Sequence, residues 1–483
     1  MGRKKKNAES PTGINSVEEL KERVVEIAKE YGFKKKENES SDGNAILRVN
    51  LKDEQGANFF GFIRPEESFK ELYSDLSLVF FTRHDTSSFF ISLGVGSLGF
   101  TNDYELACQP GLRRKFLRLL KGETFVSIKP NLSDIEQPSE DFEKFVSNNC
   151  IQFTPIVRKY SKYLPVIKYL DYKDNDIEAE LRRWISTYAS IRNWATNNRQ
   201  RKAISAALST IKTDTVNDID NIKKLLLSYQ FIVLQGAPGT GKTLTANKIA
   251  KEFPPENVLF IQFHAETSYS DFIFGIEPDL DNVGSFKKKE GILYKAIERA
   301  NEASQKGEKV LLIIDEINRA NLSNVLGPSL YLFEKNSQSR IAEVTIGDLK
   351  LKSIPSNLFI IATMNTADRS LAVVDFALRR RFAWYTLRPR PIQKQELRKH
   401  ENFHVDLFNE VSNIFETYAT DEELNLQPGQ SYFLFTDEDS IKDKIEYELM
   451  PLIKEYLNEG FLPKAKESFS NFFYKWTNKQ LFE

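Results

Sequence analysis

The stretch from Phe231 to Ala250, FIVLQGAPGTGKTLTANKIA, restricts the possible folds more than any other part of the chain. It begins with apolar, β-branched residues at strand length and passes through Gly236-Ala237-Pro238-Gly239-Thr240-Gly241-Lys242-Thr243. It then continues with a helical pattern. A GxxxxGK[ST] string in this strand-loop-helix setting is a phosphate-binding loop. Its glycines let backbone N–H groups curl around phosphate oxygens, and the helix that follows turns its positive dipole end to the same place. Lys242 is expected to neutralise the β and γ phosphates, and Thr243 to place its hydroxyl on Mg²⁺.

Two later stretches fit the same chemistry. KVLLIIDEINRANLSNVLG reads as a buried strand ending in Asp315-Glu316, with Asp315 suited to the Mg²⁺ shell and Glu316 to a general base that polarises the attacking water. IIATMNTADRS begins as a buried strand and breaks abruptly into polar residues, as it would if a rigid strand next to the phosphate-loop strand delivered Asn365 to the γ-phosphate or its water. In VVDFALRRRFAW, Arg379, Arg380 and Arg381 fall at a helix end. A surface basic cluster is the bland reading, whereas in a nucleotidase that closes its site between subunits such arginines reach into the neighbour's nucleotide.

With 483 residues the chain exceeds one ordinary core. Residues 1–155 read as an α+β domain. SVEELKERVVEIAKEYGF has a Ser16/Glu19 capping-box start, and AILRVNL, NFFGFIR, LSLVFFTR, SSFFISLGV and TFVSIKP read as antiparallel strands. GLRRKFLRLLKG lies between them as a helix. Residues 156–212 are helical and charged, read as a connector. Residues 213–390 alternate helix and strand, which implies a mostly parallel sheet with helices on both faces. Residues 391–483 read as a helical lid. The expected class is therefore an α/β P-loop NTPase core with a helical lid, preceded by an α+β domain.

Composition is globular, with 41% hydrophobic and 28% charged residues, and a formal net charge of −1 confines any nucleic-acid surface to a local basic patch. Two cysteines, Cys108 and Cys150, fit a reducing cytoplasm and make no zinc site by themselves. No run approaches the about 18 apolar residues of a membrane span.

Other signals weigh less. His400-Glu401-Asn402-Phe403-His404 satisfies HExxH but is hydrophilic and falls in the lid. Gly94 to Gly99, GVGSLG, satisfies GxGxxG within an antiparallel pattern, so a tight loop is expected there. Arg113, Arg114, Lys115 and Arg118 form a basic helix that reads as a solvated face or a phosphate contact. Arg182, Arg183, Arg199, Arg201 and Lys202 carry the same two readings.

GAPGTGKT, IQFHAETSYSDFIFGIEP, IIDEINRANLSNVLG, TMNTADRSLAVVDFALRRRFAW, LQPGQSYFL and IEYELMPLIKEYL occur in an order and spacing that resembles the McrB-type family of AAA+ GTPase subunits from modified-cytosine restriction systems. The resemblance runs from about Thr213 to Gly460, and MNTADRS is its narrowest element. It implies a ring, usually hexameric, that uses GTP in place of ATP, acts on DNA and is stimulated by a separate McrC-like nuclease subunit. It assigns the signature loop to Asn365 and Asp368 and the inter-subunit arginines to Arg380 and Arg381, with the register within the run of three left open. Residues 1–200 lie outside it and do not look like the methylcytosine-reading domain of the family's best-known member. DNA or target recognition through residues 1–155 is the expectation. Nothing in the phosphate motifs reads the base, and an ATP-driven remodeller of protein complexes, like MoxR-type relatives, is the alternative.

Overall fold

The computed structural model describes residues 14–53, 56–120, 125–209, 218–281, 284–334, 343–367 and 376–482. The chain divides into two compact units, Met1–Thr215 and Val216–Glu483.

The first unit is built on an antiparallel sheet. Its strands are β1 (Ile46–Asn50), β2 (Phe59–Ile63), β3 (Leu76–Phe81), β4 (Ser88–Val95), β5 (Val126–Ile128) and β6 (Val166–Asp171). They are ordered β1-β2-β3-β4-β6-β5. β2, β3 and β4 are buried along their whole length because side chains alternate between two covered faces. Leu76, Leu78 and Phe80 of β3 with Phe89, Ile91 and Leu93 of β4 join one core, with helices Val17–Glu30, Pro110–Leu119 and Ile177–Ile191. Val79, Phe81 and Phe90 join the other, with helices Glu140–Asn149 and Thr154–Tyr160.

The stretch expected to be a connector, 156–212, is instead part of this unit. β6 pairs with both β4 and β5, and Leu181, Trp184, Ile185 and Tyr188 of the helix that follows are core residues. The strand is short and flanked by helices, so its period is masked by theirs; only the pairing partners on each side make it a strand.

The helix start at Ser16 is as expected, with a shifted return bond. Ser16 Oγ accepts from Glu19 N at 3.1 Å, while Glu19 Oε2 accepts from Asn15 N at 2.7 Å. The GVGSLG segment closes a tight loop over Asp75, whose φ is +64°. Asp75 Oδ1 accepts from the backbone N–H of Thr101, Asn102 and Asp103 at 2.8, 2.8 and 3.0 Å, and Gly96 N donates to Asp75 O at 3.0 Å. In the basic helix, Arg114 is buried and Arg113 Nε donates to Lys129 O at 3.1 Å, so part of that cluster faces inward.

The second unit contains β7 (Phe231–Gly236), β8 (Val258–Gln262), β9 (Phe274–Pro278), β10 (Phe286–Glu290), β11 (Val310–Asp315), β12 (Val344–Ile346), β13 (Leu349–Leu351), β14 (Leu358–Asn365) and β15 (Ala383–Thr386). A five-stranded sheet runs in the order β15-β7-β14-β11-β8, every pair parallel. β9–β10 and β12–β13 are separate antiparallel hairpins. Helices cover both sheet faces: Ile292–Ser304 packs on Leu312, Ile314, Ile360 and Ala362, and Asp218–Tyr229 with Lys242–Ala250 on Leu234, Leu311, Ile313 and Ile361. The lid has its own core, in which helices Val405–Tyr418, Met450–Asn458 and Lys466–Thr477 meet through Phe408, Phe415, Ile453, Phe469 and Phe473. The expected α/β core, lid and preceding α+β region are all present.

Candidate nucleotide site

The site forms where β7, β14 and β11 end side by side. Parallel strands of an open α/β sheet carry their functional groups to this edge, because the connections leave from it. β7 runs into the phosphate loop, where Gly239 and Gly241 take φ of +78° and +83° and helix Lys242–Ala250 begins. Lys242 is buried, and its Nζ donates to Gly236 O and Ala237 O at 3.0 Å each, within the curl of the loop.

Asp315, the last residue of β11, meets this loop directly. Its Oδ1 accepts from Thr243 Oγ1 at 2.8 Å and from Thr363 Oγ1 at 2.6 Å. Thr363 Oγ1 in turn accepts from Glu316 N at 3.0 Å. Glu316 has φ +54° and ψ +50°, a left-handed conformation that an ordinary side chain adopts at a cost of about 1–3 kcal/mol and that persists only where its surroundings hold it. The Thr363 bond is one such restraint.

β14 lies beside β7 with Asn365 opposite Gly236. Thr366 N donates to Gly236 O at 3.1 Å, and the buried Asn318 donates through Nδ2 to Asn365 O at 3.3 Å. Asn365 Oδ1 accepts from Ala367 N at 3.2 Å. The strand end thus stands against the phosphate loop, as expected from its sudden change of character.

The lid touches the loop from outside. Gly429 N donates to Pro238 O at 2.8 Å, Ser431 N to Gly239 O at 3.1 Å, and Gln430 Nε2 to Thr240 O at 2.8 Å. Tyr432 also packs on Gly239, and burial followed by the charge of Glu448 pushes its phenol up from the ordinary value.

Thr243 and Asp315 fit the Mg²⁺ expected of such a loop. Both supply the hard oxygen donors that Mg²⁺ takes, a hydroxyl and a carboxylate 2.8 Å apart beside the phosphate loop, and would be the residues to hold it.

The structure therefore brings together Gly236 through Thr243, Asp315, Glu316 and Asn365. Asp368 lies outside the described residues. The arginines part company: Arg381, expected at a subunit boundary, is buried with 4% of its side chain exposed and pairs with Glu334 of its own chain. Arg379 lies over Trp384, 5.4 Å from the ring centroid. Arg380 has 70% of its side chain exposed, with Glu334 at 3.8 Å. Three positions carried no sequence signal as site residues: Thr363, Asn318 and Gln430. Thr363 was visible only as a lone hydroxyl in an apolar strand.

The HExxH string builds no metal site. His400 sits in a turn at φ +71°, and His404 caps the helix Val405–Tyr418, its Nδ1 accepting from Leu407 N at 3.2 Å. No group of three or more His, Cys, Asp or Glu placed to hold a metal occurs among the described residues. No helix among them is long and apolar enough to cross a membrane.

Residues 232–382 match the AAA domain of the dynein-related subfamily, from the phosphate-loop strand to just past the arginines. The chain is 37% identical over 299 residues to the type IV methyl-directed restriction enzyme EcoKMcrB subunit of Escherichia coli strain K12, covering 56% of this chain and 62% of that one. The chain carries an AAA domain and, over somewhat more than half of its length, is similar to a McrB-type subunit. A second relative, the type II restriction enzyme BsuMI component YdiS of Bacillus subtilis strain 168, is 27% identical over 200 residues, 32% of this chain and 55% of its own length. The chain thus spans less than two thirds of either relative. A solved structure assigned as an ATPase from Cytophaga hutchinsonii aligns over 53% of the chain and 75% of its own, at 18% identity and a TM-score of 0.27. So loose a superposition carries no argument about this chain.

Proposed function

We propose that this chain hydrolyses a purine nucleoside triphosphate, GTP by preference over ATP, as the motor and recognition subunit of a McrBC-like modification-dependent DNA restriction or defence system in the cytoplasm. It works in a ring, hexameric as in its family, with a separate McrC-like nuclease subunit, and recognises DNA through residues 1–155. The observation that carries the reading is the hydrogen-bonded chain Thr243–Asp315–Thr363–Glu316 at the mouth of the phosphate loop. It joins a group for the metal to a carboxylate for the water, which is what positioning catalysis of phosphoryl transfer requires.

In this reading the loop N–H groups and Lys242 hold the triphosphate, while Thr243 and Asp315 hold Mg²⁺, which when bound neutralises charge on the phosphate oxygens. Glu316 takes the proton of the attacking water, and the Asn365 amide orients that water. Arg380, exposed where Arg381 is buried, is the finger offered to the neighbour's nucleotide.

The test compares GTP and ATP turnover by the purified chain with Mg²⁺, with and without DNA. GTP hydrolysis altered by DNA is expected. Preference for ATP with no response to DNA would transfer the chain to the protein-remodelling class, and failure to retain any purine triphosphate would overturn the assignment.

A further inference from the structure

The lid turn Pro428–Ser431 touches the phosphate loop at consecutive residues. The carbonyls of Pro238, Gly239 and Thr240 each accept a hydrogen bond from it, from Gly429 N, Ser431 N and Gln430 Nε2 at 2.8, 3.1 and 2.8 Å. The two backbones are in contact. A Cβ on Gly429 would stand 2.0 Å from Gly239 C and 2.1 Å from Thr240 N, and a Cβ on Gly239 would stand 2.3 Å from Ser431 Oγ. Glycine at 429 is therefore required by close approach and not by its backbone angles, since its φ is −72°. Glycine at 239 serves both needs, with φ of +78°.

The physical consequence follows from the geometry of a peptide. A loop can aim its N–H groups inward at an anion only if the carbonyls of the same peptides point away, and outward carbonyls need partners of their own. Here the lid supplies those partners. Gln430 takes part through one end of its amide; its Oε1 is buried with no partner among the described residues.

We infer that the turn Pro428–Ser431 is a clamp that sets the phosphate loop in its anion-binding form, with Gln430 as a positioning residue, so that lid docking and triphosphate binding reinforce each other. The inference rests on the nucleotide reading above. Whatever strengthens one must strengthen the other by the same factor, because binding couplings are reciprocal.

The experiment uses the full chain, with fluorescent GTP and ATP analogues and Mg²⁺, and measures dissociation constants together with amide hydrogen exchange. In the wild type, nucleotide is expected to slow exchange at Gly429 and Ser431, and not in Lys242→Ala, which cannot hold it. Gln430→Ala is expected to weaken nucleotide binding about fivefold to tenfold, the worth of one hydrogen bond, while the melting temperature without nucleotide stays near wild type. Gln430→Asn, too short by one methylene to reach Thr240 O, is expected to behave as Ala does, whereas a merely space-filling role would let it rescue. Gly429→Ala should weaken binding further; where it does not fold, Gln430→Ala decides. If wild-type protein binds nucleotide but its Gly429 and Ser431 amides exchange unchanged and Gln430→Ala binds normally, the clamp is overturned and the nucleotide reading stands. If wild-type protein binds no nucleotide, both fall.

Discussion

Thr363 shows how much one buried hydroxyl can organise. It donates to the Asp315 carboxylate and accepts the N–H of Glu316, the residue bearing the strained backbone. Thr363→Val keeps the shape but leaves the Glu316 N–H without this partner, so a stability loss of about 1–3 kcal/mol is expected. Turnover should fall far more than nucleotide affinity, since Glu316 loses a restraint on its backbone while the bond from Thr243 to Asp315 at the loop is kept; stopped-flow binding beside steady-state hydrolysis separates the two. Lys242→Ala is expected to lose nucleotide binding, whereas Glu316→Gln and Asn365→Ala should bind nucleotide and hardly turn it over. Full hydrolysis in either of the last two would remove the catalytic roles given to them.

Loops and strand ends, as elements, hold their form through single acceptors. Burial alone would raise the Asp75 carboxyl, but the N–H groups of Asp103, Asn102 and Thr101, with the Asn102 amide, hold it below the usual carboxylate range. A group depressed on folding adds stability that is complete above its unfolded value of about 4 and is lost as pH falls through the lower folded value. Asp75→Asn replaces charge-assisted bonds with neutral ones and is expected to cost about 2 kcal/mol at pH 7, with the gap to wild type closing below about pH 4. Urea unfolding at both pH values measures it. The same scale explains the misread connector. β6 is six residues long between two helices, and it becomes a strand because β4 and β5 offer edges on either side.

For the whole molecule, the ring proposed above makes the arginine run the place to test whether a site is completed by a neighbour. Arg381 is sealed against Glu334, so Arg381→Ala should lower stability by about 2 kcal/mol through a lost charged hydrogen bond. Arg380→Ala should leave stability unchanged and abolish turnover. If Arg380 acts across a subunit boundary, mixing Arg380→Ala chains with Glu316→Gln chains should restore hydrolysis, because intact acidic sites then face intact arginines at about a quarter of the boundaries in a randomly mixed ring. No recovery on mixing would place the arginine in its own chain's site or outside the chemistry.

The order of motifs in the sequence was enough to determine the parallel sheet, the phosphate loop and the carboxylate and amide at the strand ends, because those depend on local period and on residues adjacent in the chain. Three matters were settled only by tertiary structure. Which of Arg380 and Arg381 is buried and which exposed depended on Glu334, 47 residues from Arg381. The hydroxyl that joins Asp315 to Glu316 came from β14, and the partners of the loop's carbonyls came from a lid turn 190 residues beyond the loop. Hydrogen bonds and close contacts of this kind carry no periodic signature; they exist only once distant segments are packed together.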